Sequence, residues 1–456
     1  MPMFVPVTAA SETGKSEKRE LSSWFSQVQR QQPVMMSAIP VMAEGDAPLC
    51  TLTKATGVSG VTIVSGGTGY AAGDNLTPES GVYAVSARIR VLSVDDAGAV
   101  TRAAVQLSGV YSQKPEEDEV SVTGGSGNGA VFRLTWNAGV ASSVYNGKMR
   151  ERMDTSTFEY TGYSPKDSVS GYRGNGVQNG TQCIVEFISD APVLDFRFVG
   201  GNGHYDLYVD GQRIREQPVK TDSSGSPYIY TVDWNNTVKL RHYRLCGINT
   251  GFGGIITGQA YTVMAPQGNR RPLAWQMGDS YTVGIGATQA SYNDFRVMCD
   301  ALGIDGIADG ISGSGWTSTQ DGRVPQERVR LKLGSITRQP QYVFLSLGYN
   351  DAPAGRTELL KTNFTESVAE IRRLCPLAKI IVIGPATPLG HTAQLDAVRT
   401  AIMECCTELN LPFVDVRNVV NSANKQLYTG SDGVHPSNDG HIFRGLQMAM
   451  RVSQFM

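Results

Sequence analysis

Apolar and polar positions follow two different patterns along this chain of 456 residues. After about residue 269, four apolar runs of strand length alternate with longer segments of helical periodicity; the runs are PLAWQM, QYVFLSL, AKIIVIG and LPFVDV. The helical segments include residues 357–374 and 391–409. Strands that alternate with helices are typical of βαβ units. We therefore predict a C-terminal α/β domain with a parallel sheet over residues 269–456.

The second helical segment carries one apolar stripe. Its members, Leu395, Val398, Ile402, Cys405 and Leu409, recur at intervals of three and four residues. Such a stripe covers one face of a helix. Packing on the parallel sheet is its predicted use, and pairing with another helix is the less common alternative.

Strand-like alternation dominates residues 137–268, in runs such as IVEFIS, LDFRFVG and YDLYVDGQRI. Leu194, Phe196 and Phe198 fall on one face of a strand, and Asp210-Gly211 is a hairpin turn signal. In TVKLRHYRLC the apolar parity changes between Leu240 and Tyr243, which predicts a bulge or a change of sheet. We expect a β-sandwich of jelly-roll type that either binds carbohydrate or serves as a spacer.

The first 136 residues divide into two further parts. Residues 46–136 contain short β-rich runs separated by glycine turns, and predict a small β module. In residues 1–45, a short helix is predicted because Leu21, Trp24, Phe25 and Val28 form one apolar stripe. That helix either packs on the next domain or attaches the chain to another protein.

The composition of the chain argues against several classes of binding partner. The formal net charge is −2 and charged residues make up 18% of the chain, without clusters of Lys and Arg, so neither nucleic acid nor an anionic membrane is expected as a partner. Seven scattered cysteines include no CxxC spacing, and predict neither a disulfide framework nor a thiolate metal site. The N-terminus lacks a secretory signal pattern and no segment approaches 18 apolar residues, so we expect no membrane insertion.

The candidate chemistry lies in two segments that are distant in sequence. Ser280 follows Gly278-Asp279 at a predicted strand-to-helix junction, where backbone N–H groups are free to donate. Asp432 lies three residues before His435, close enough for one loop to direct a carboxylate at the imidazole. A serine nucleophile requires such a base and orienting acid. The chain contains no GxSxG motif, which argues against the common α/β-hydrolase arrangement.

Four blocks in this order resemble the SGNH (GDSL) hydrolase family. They are AWQMGDSYTVGIGA around Ser280, GISGSGW around Gly313, LGYND around Asn350, and DGVHP around His435. The resemblance covers roughly residues 272–453 and implies a three-layer αβα domain with a flavodoxin-like sheet. It identifies this region as an esterase domain that needs neither cofactor nor metal.

The same resemblance implies a role for each matching residue. Ser280 is the expected nucleophile, His435 the general base and Asp432 its orienting acid. The expected oxyanion hole consists of the Ser280 and Gly313 backbone amides and the Asn350 side chain. Gly315 is an alternative to Gly313, because a shift of two residues in the loop would place its amide there. Tyr281, Trp316 and Tyr349 form either an aromatic rim for a sugar or ordinary packing contacts.

The phrases GGTGYAAGDNL, SGVYSQKP and GGSGNGAVF in the small module resemble a module of bacteriophage tail proteins. The two resemblances imply an esterase that removes acetyl or similar small acyl groups from a bacterial surface polysaccharide. It would act in the virion as part of a phage tail or tailspike, bound to other tail proteins through its N-terminal region, and such proteins are frequently trimers. The alternatives are an inactive receptor-binding tail protein and a lipase or thioesterase acting on longer acyl chains.

Overall fold

The structure is a computed structural model, and it describes fourteen stretches of the chain: residues 41–54, 56–136, 147–151, 157–162, 182–199, 203–222, 227–248, 251–266, 271–320, 322–334, 336, 338–352, 355–386 and 392–456. The helix predicted near Trp24 lies outside these residues. No described helix is long and apolar enough to cross a bilayer.

The strands fall into three regions of the chain. The first strand and the small module contain β1 (Leu49–Lys54), β2 (Val58–Thr68), β3 (Asn75–Pro78), β4 (Val82–Val85), β5 (Arg88–Val94), β6 (Val100–Leu107), β7 (Val110–Gln113), β8 (Glu119–Thr123) and β9 (Asn128–Trp136). The sandwich region contains β10 (Gly147–Glu151), β11 (Glu159–Gly162), β12 (Gln182–Ser189), β13 (Val193–Val199), β14 (His204–Val209), β15 (Gln212–Arg213), β16 (Val219–Lys220), β17 (Pro227–Asp233), β18 (Arg241–Ile248), β19 (Gly251–Gly258) and β20 (Val263–Met264). The α/β domain contains β21 (Leu273–Gly278), β22 (Asp305–Gly310), β23 (Tyr342–Ser346), β24 (Lys379–Ile383) and β25 (Phe413–Val414).

The α-helices of the described chain all lie in the α/β domain. They are α1 (Ser280–Val283), α2 (Asp294–Leu302), α3 (Pro325–Leu333), α4 (Thr357–Leu374), α5 (Ala393–Glu408), α6 (Lys425–Tyr428) and α7 (Asn438–Val452). Three short 3-10 turns accompany them, at Ala290–Tyr292, Tyr349–Asp351 and Ser453–Phe455.

Two antiparallel sheets face each other in the sandwich. One has the strand order β1-β17-β13-β19-β10 and the other the order β11-β12-β18-β14-β15. Leu194, Phe196 and Phe198 all lie in the core between the sheets, as their alternation predicted. The Phe187 and Tyr243 rings stack there with centroids 4.9 Å apart.

The predicted start of the small module at residue 46 is wrong. Strand Leu49–Lys54 pairs along its whole length with Pro227–Asp233, so it is an edge strand of the sandwich. Cys50 and Leu52 pack on the sandwich core. The module is therefore inserted between two strands of one sheet, and its own strands form an antiparallel sheet in the order β2-β9-β8-β3-β5-β6.

Two local predictions in the sandwich concern the connections between its strands. Asp210 and Gly211 both have positive φ, 51° and 83°, and connect β14 to β15 as the predicted hairpin turn. Of the two alternatives for the parity change after Leu240, the structure shows a change of sheet: β17 belongs to one sheet, and β18, which begins at Arg241 and pairs with β12 without a bulge, belongs to the other. Val238 and Leu240 lie outside the strand and are 56% and 55% exposed.

The α/β domain has a parallel sheet in the order β22-β21-β23-β24-β25, which is 2-1-3-4-5 in chain order. Alternate residues of each strand face opposite sides: Trp275 and Val343 belong to the core under α3, α4 and α5, whereas Ala274 and Phe344 belong to the core under α2 and α7. Helices therefore cover both faces. Helix α5 uses its predicted stripe to pack on this sheet, with Leu409 just past its last residue.

The sandwich and the α/β domain share a polar interface at the start of the parallel strands. Arg244 of β18 contacts Asp300 and Asp305, each at 3.4 Å, and all three side chains are at most 7% exposed. Arg338 also contacts Asp305, at 3.3 Å, and lies 3.9 Å from Glu159 of β11. Removal of one partner from such a buried group leaves an uncompensated charge, so these pairs fix how the two domains meet.

Candidate active site

Ser280 lies where β21 ends and α1 begins. Asp279 is the N-cap of α1, and its Oδ1 accepts a hydrogen bond from Tyr281 N at 3.0 Å. Gly278 permits this sharp turn, because a Cβ at that position would lie 1.9 Å from Thr282 Oγ1. Ser280 is the first residue of α1, so its N–H has no partner within the helix.

Ser280, His435 and Asp432 form one hydrogen-bonded series, although the serine and the histidine are 155 residues apart. His435 Nε2 lies 2.8 Å from Ser280 Oγ, and His435 Nδ1 lies 2.5 Å from Asp432 Oδ2. Because a carboxylate can only accept, Nδ1 carries the hydrogen and Nε2 is left to accept the serine proton. This is the geometry that a serine nucleophile requires.

Asp432 also organises the loop that contains the base, residues 430–438, which we call the base loop. Its Oδ1 accepts hydrogen bonds from Val434 N and His435 N, both at 2.9 Å. The His435 hydrogen bonds and these amides lower the pKa of Asp432 to about 2. The carboxylate is therefore ionised throughout the neutral range.

Asp279 behaves in the opposite way, although it is the neighbour of Ser280. Burial raises the pKa of its carboxyl to about 7, while the Tyr281 N–H and the Arg444 charge act against that increase. It makes no hydrogen bond to His435 among the described contacts, so its visible contribution is to cap α1.

The loop after β22 contacts the end of the nucleophile strand, where Ser314 Oγ donates to Gly278 O at 3.3 Å. Gly313 has a φ of 76°, a conformation that favours glycine, and its N–H donates to none of the described residues. The N–H of Gly315 already donates to Ser318 O at 2.9 Å. Asn350 Nδ2 donates to Ser314 O at 2.9 Å, which uses one of its two hydrogens. The geometry thus favours Gly313 over Gly315 as the free amide, with one Asn350 hydrogen still available.

Asp351 holds this loop in place. Its carboxylate accepts from Trp316 N at 2.8 Å and from Thr317 N at 2.7 Å. Gly315 allows the close approach, because a Cβ there would lie 2.6 Å from the carboxylate oxygens. Asp351 is therefore a structural residue of this loop.

Arg328 ties the loop to the nucleophile strand, and sequence reasoning missed it. Its guanidinium donates to Gly278 O at 3.0 Å and to Ser314 Oγ at 3.1 Å, and it pairs with Asp309 at 3.3 Å. No motif marks this arginine, since its partners lie on other segments of the chain, 14 to 50 residues away in sequence.

For two of the three aromatic residues, burial favours the packing alternative over a rim for a sugar. Trp316 is fully buried and packs against Phe364 at a centroid distance of 4.8 Å. Tyr281 is 3% exposed, because α1 directs it inward beneath the base loop. Tyr349 is partly exposed and lies 5.9 Å from the Tyr281 ring.

Tyr281 connects the nucleophile to the base loop instead. Its hydroxyl donates to Val434 O at 2.7 Å, across 153 residues of chain. Burial raises the pKa of this phenol, so it stays protonated and able to donate. The Arg444 guanidinium lies 4.8 Å from the ring centroid. The sequence gives no signal for this contact.

A second connection joins residues 284–293, which we call the bridging segment, to the base loop. Thr288 N donates to Asn438 Oδ1 at 2.9 Å, and Asn438 Nδ2 donates to Thr288 Oγ1 at 3.0 Å. His441, which is fully buried, donates through Nε2 to Ile285 O at 2.9 Å. Burial lowers the pKa of His441, consistent with a neutral ring.

No group of three or more His, Cys, Asp or Glu in the described part of the chain is arranged to hold a metal ion. The groups able to carry out chemistry at this site are the Ser280, His435 and Asp432 series and the amides beside it.

Serine, histidine and aspartate in hydrogen-bonded series, beyond the strand ends of a parallel α/β sheet, are typical of one class of serine hydrolases. Residues 277–442 match the GDSL-like Lipase/Acylhydrolase family. The C-terminal region of this chain is therefore a GDSL hydrolase domain. No curated protein matches the chain in sequence.

Several solved structures share the fold at low sequence identity. A family two carbohydrate esterase from Clostridium thermocellum, in complex with cellohexaose, is 18% identical with a TM-score of 0.51, over 65% of this chain and 98% of that one. The salicylyl-acyltransferase SsfX3 from a tetracycline biosynthetic pathway is 16% identical with a TM-score of 0.55, over 68% and 98%. The acetyl xylan esterase Est2A from the rumen bacterium Butyrivibrio proteoclasticus is 15% identical with a TM-score of 0.50, over 68% and 99%. These matches show the fold of the part of the chain that they cover.

Proposed function

We propose that the protein is a serine esterase that removes acetyl or similar small acyl groups from a carbohydrate. The observation that carries this proposal is the series from Ser280 Oγ to His435 Nε2 at 2.8 Å and from His435 Nδ1 to Asp432 Oδ2 at 2.5 Å. In this proposal Ser280 is the nucleophile, His435 the general base and Asp432 its orienting acid.

The reaction proceeds in two halves. Ser280 Oγ attacks the ester carbonyl while its proton passes to His435 Nε2, and the ionised Asp432 stabilises the imidazolium that forms. The tetrahedral intermediate collapses, and His435 returns the proton to the departing sugar hydroxyl. Water, deprotonated by His435, then attacks the acyl-enzyme and releases the carboxylic acid and free Ser280.

The negative oxygen of each tetrahedral intermediate requires donors. We assign this role to the Ser280 and Gly313 backbone amides and to the second hydrogen of Asn350 Nδ2. Gly315 is less suited, because its N–H already donates to Ser318 O. Arg328 and Asp351 support the assignment indirectly, since they fix the loop that carries Gly313.

A carbohydrate ester is the proposed substrate class. Its support is the shared fold with solved carbohydrate esterases, one of them described as an acetyl xylan esterase. We further propose a bacterial surface polysaccharide as the substrate and a phage tail as the site of action, where the protein would be a trimer attached through its N-terminal region. That context rests on the resemblance of the small module to phage tail proteins.

The nucleophile is tested by Ser280→Ala in the full-length chain. We expect kcat for 4-nitrophenyl acetate to fall by about four orders of magnitude or more, with an unchanged thermal transition. A fluorophosphonate probe should label the wild-type protein at Ser280 and leave the variant unlabelled. Normal turnover by the variant, or labelling at another residue, would refute the assignment.

Substrate class is tested by two comparisons. Acetyl esters should be hydrolysed faster than long-chain 4-nitrophenyl esters, and the reverse order would support a lipase instead. Capsules or O-antigens from candidate bacteria should release acetate with the wild-type protein and not with Ser280→Ala. A labelled, correctly folded protein that releases no acetate from any carbohydrate would contradict the carbohydrate proposal while leaving the esterase proposal in place.

A further inference from the structure

The sandwich contacts the bridging segment through directional hydrogen bonds. His204 Nδ1 donates to Thr288 O at 2.5 Å. Two residues further along the same strand, Asp206 Oδ2 accepts from Ser291 N at 2.9 Å, and Arg213 donates to Ser291 Oγ at 3.1 Å. The sandwich therefore holds both the backbone and a side chain of the bridging segment.

An apolar contact supports the same region. Ala290 is fully buried in a small cluster with Ile184, Tyr208 and Cys246, all three of which are sandwich residues. Asp206 is 2% exposed, and burial raises the pKa of its carboxyl to about 6. Displacement of the bridging segment would open this cluster and leave polar groups unsatisfied, which is costly in a buried place.

The opposite side of the bridging segment holds the base loop. Thr288 exchanges two hydrogen bonds with Asn438, which lies three residues after His435. Gly286 lies so close to this loop that a Cβ on it would be 2.0 Å from Pro436 O. Thr288 thus contacts the sandwich through its carbonyl and the base loop through its N–H and hydroxyl.

We infer that the β-sandwich positions the general base: His204 fixes Thr288, Thr288 fixes Asn438, and Asn438 fixes the base loop that carries His435. His204 is a positioning residue of another domain, because it touches neither Ser280 nor His435 in the described contacts. This inference rests on the proposed function, and it gives the sandwich a part in turnover that is independent of any glycan binding.

The experiment is a matched series in the full-length chain. His204→Ala removes the donor to Thr288 O, whereas His204→Asn offers an amide N–H at nearly the position of Nδ1. Arg338→Met is the control. It breaks contacts of the same domain interface, with Asp305 and Glu159, but at the start of the parallel strands, whereas Ser280 lies beyond their other end. Asn438→Ala, alone and combined with His204→Ala, tests whether the two residues act in one series.

For His204→Ala we expect kcat for 4-nitrophenyl acetate to fall about tenfold with KM nearly unchanged, since small misplacements of a catalytic group have effects of this order. His204→Asn should restore most of the loss. Arg338→Met should lower the thermal transition and leave kcat near the wild-type value. The His204→Ala and Asn438→Ala effects should be markedly less than additive.

A second readout does not depend on turnover. Amide hydrogen exchange in peptides covering residues 430–438 should be faster in His204→Ala than in wild type, His204→Asn and Arg338→Met. Unchanged exchange and unchanged kcat in His204→Ala would overturn the inference. A wild-type protein without esterase activity would refute the proposed function, and the exchange comparison would still decide whether the sandwich holds the base loop.

Discussion

Replacement of Asp432 by Asn tests the orienting acid with little change to the loop around it. The Asn Oδ1 can still accept from Val434 N and His435 N, the two backbone bonds that Asp432 Oδ1 accepts at 2.9 Å. Its amide nitrogen then faces His435 Nδ1, where Oδ2 now lies at 2.5 Å. Because an amide N–H donates, Nδ1 must become an acceptor, and the hydrogen moves to Nε2, where it blocks acceptance from Ser280.

The size of the effect follows from the exposure of the pair. Two unit charges about 4 Å apart interact by about 4 kcal/mol near a protein surface and about 1 kcal/mol in water. The Asp432 side chain is 49% exposed and that of His435 is 20% exposed, so the loss should lie between these limits. Since about 1.4 kcal/mol corresponds to a tenfold change in rate, kcat should fall by about 5-fold to 10³-fold, less than in triads with a buried acid.

The assay is initial-rate hydrolysis of 4-nitrophenyl acetate by wild type, Asp432→Asn and Asp432→Ala, with thermal unfolding of each protein. Asp432→Ala also loses the two backbone bonds, so it should combine a lower rate with a lower thermal transition. A kcat for Asp432→Asn within about twofold of wild type would refute the reasoning, because neither the charge nor the tautomer would then matter.

Three further predictions concern the surroundings of Ser280. Burial raises the pKa of Asp279 to about 7. The contribution of this group to stability is therefore full below its unfolded-state pKa of about 4 and is lost as pH rises through about 7. In thermal scans, the Tm of wild type relative to Asp279→Asn should fall between about pH 4 and 7. Asn350→Ala should lower kcat by about 10²-fold to 10³-fold if Nδ2 donates to the oxyanion, and steady-state kinetics with an unchanged rate would remove it from that role. Gly315→Ala should lower kcat about tenfold, because its Cβ would lie 2.6 Å from the Asp351 carboxylate; wild-type kinetics would show that the loop tolerates the displacement.

Local periodicity was sufficient to predict most of the helices and strands of the α/β domain. The predicted helix over residues 357–374 corresponds to Thr357–Leu374, and the apolar runs correspond to β21, β23, β24 and β25. Strand Asp305–Gly310 was missed, because its sequence DGIADG has no apolar run. Its Asp305 is neutralised by Arg244 and Arg338, which come from distant parts of the chain. Such pairing between residues distant in the chain leaves no pattern in a single sequence.

The sequence also predicted the catalytic residues better than the residues that hold them in position. The GDS and DGVHP segments carry the residues that meet in the structure. These residues could be predicted because each segment has a recognisable local spacing. Tyr281, Thr288 and Arg328 act mainly through contacts with distant residues or backbone atoms. Such contacts leave no composition or spacing signal, and burial likewise decided that Trp316 is a packing residue.

The insertion of the small module has a mechanical consequence. The chain leaves the sandwich at β1 and re-enters it at β10, and these are the two outer strands of one sheet. A pull or torque on the module is therefore delivered to both margins of that sheet, and the hydrolase domain, which adjoins the other sheet, lies outside the direct path of the load. In the part of the chain that the structure describes, a force on the module can therefore reach the hydrolase domain only through the sandwich.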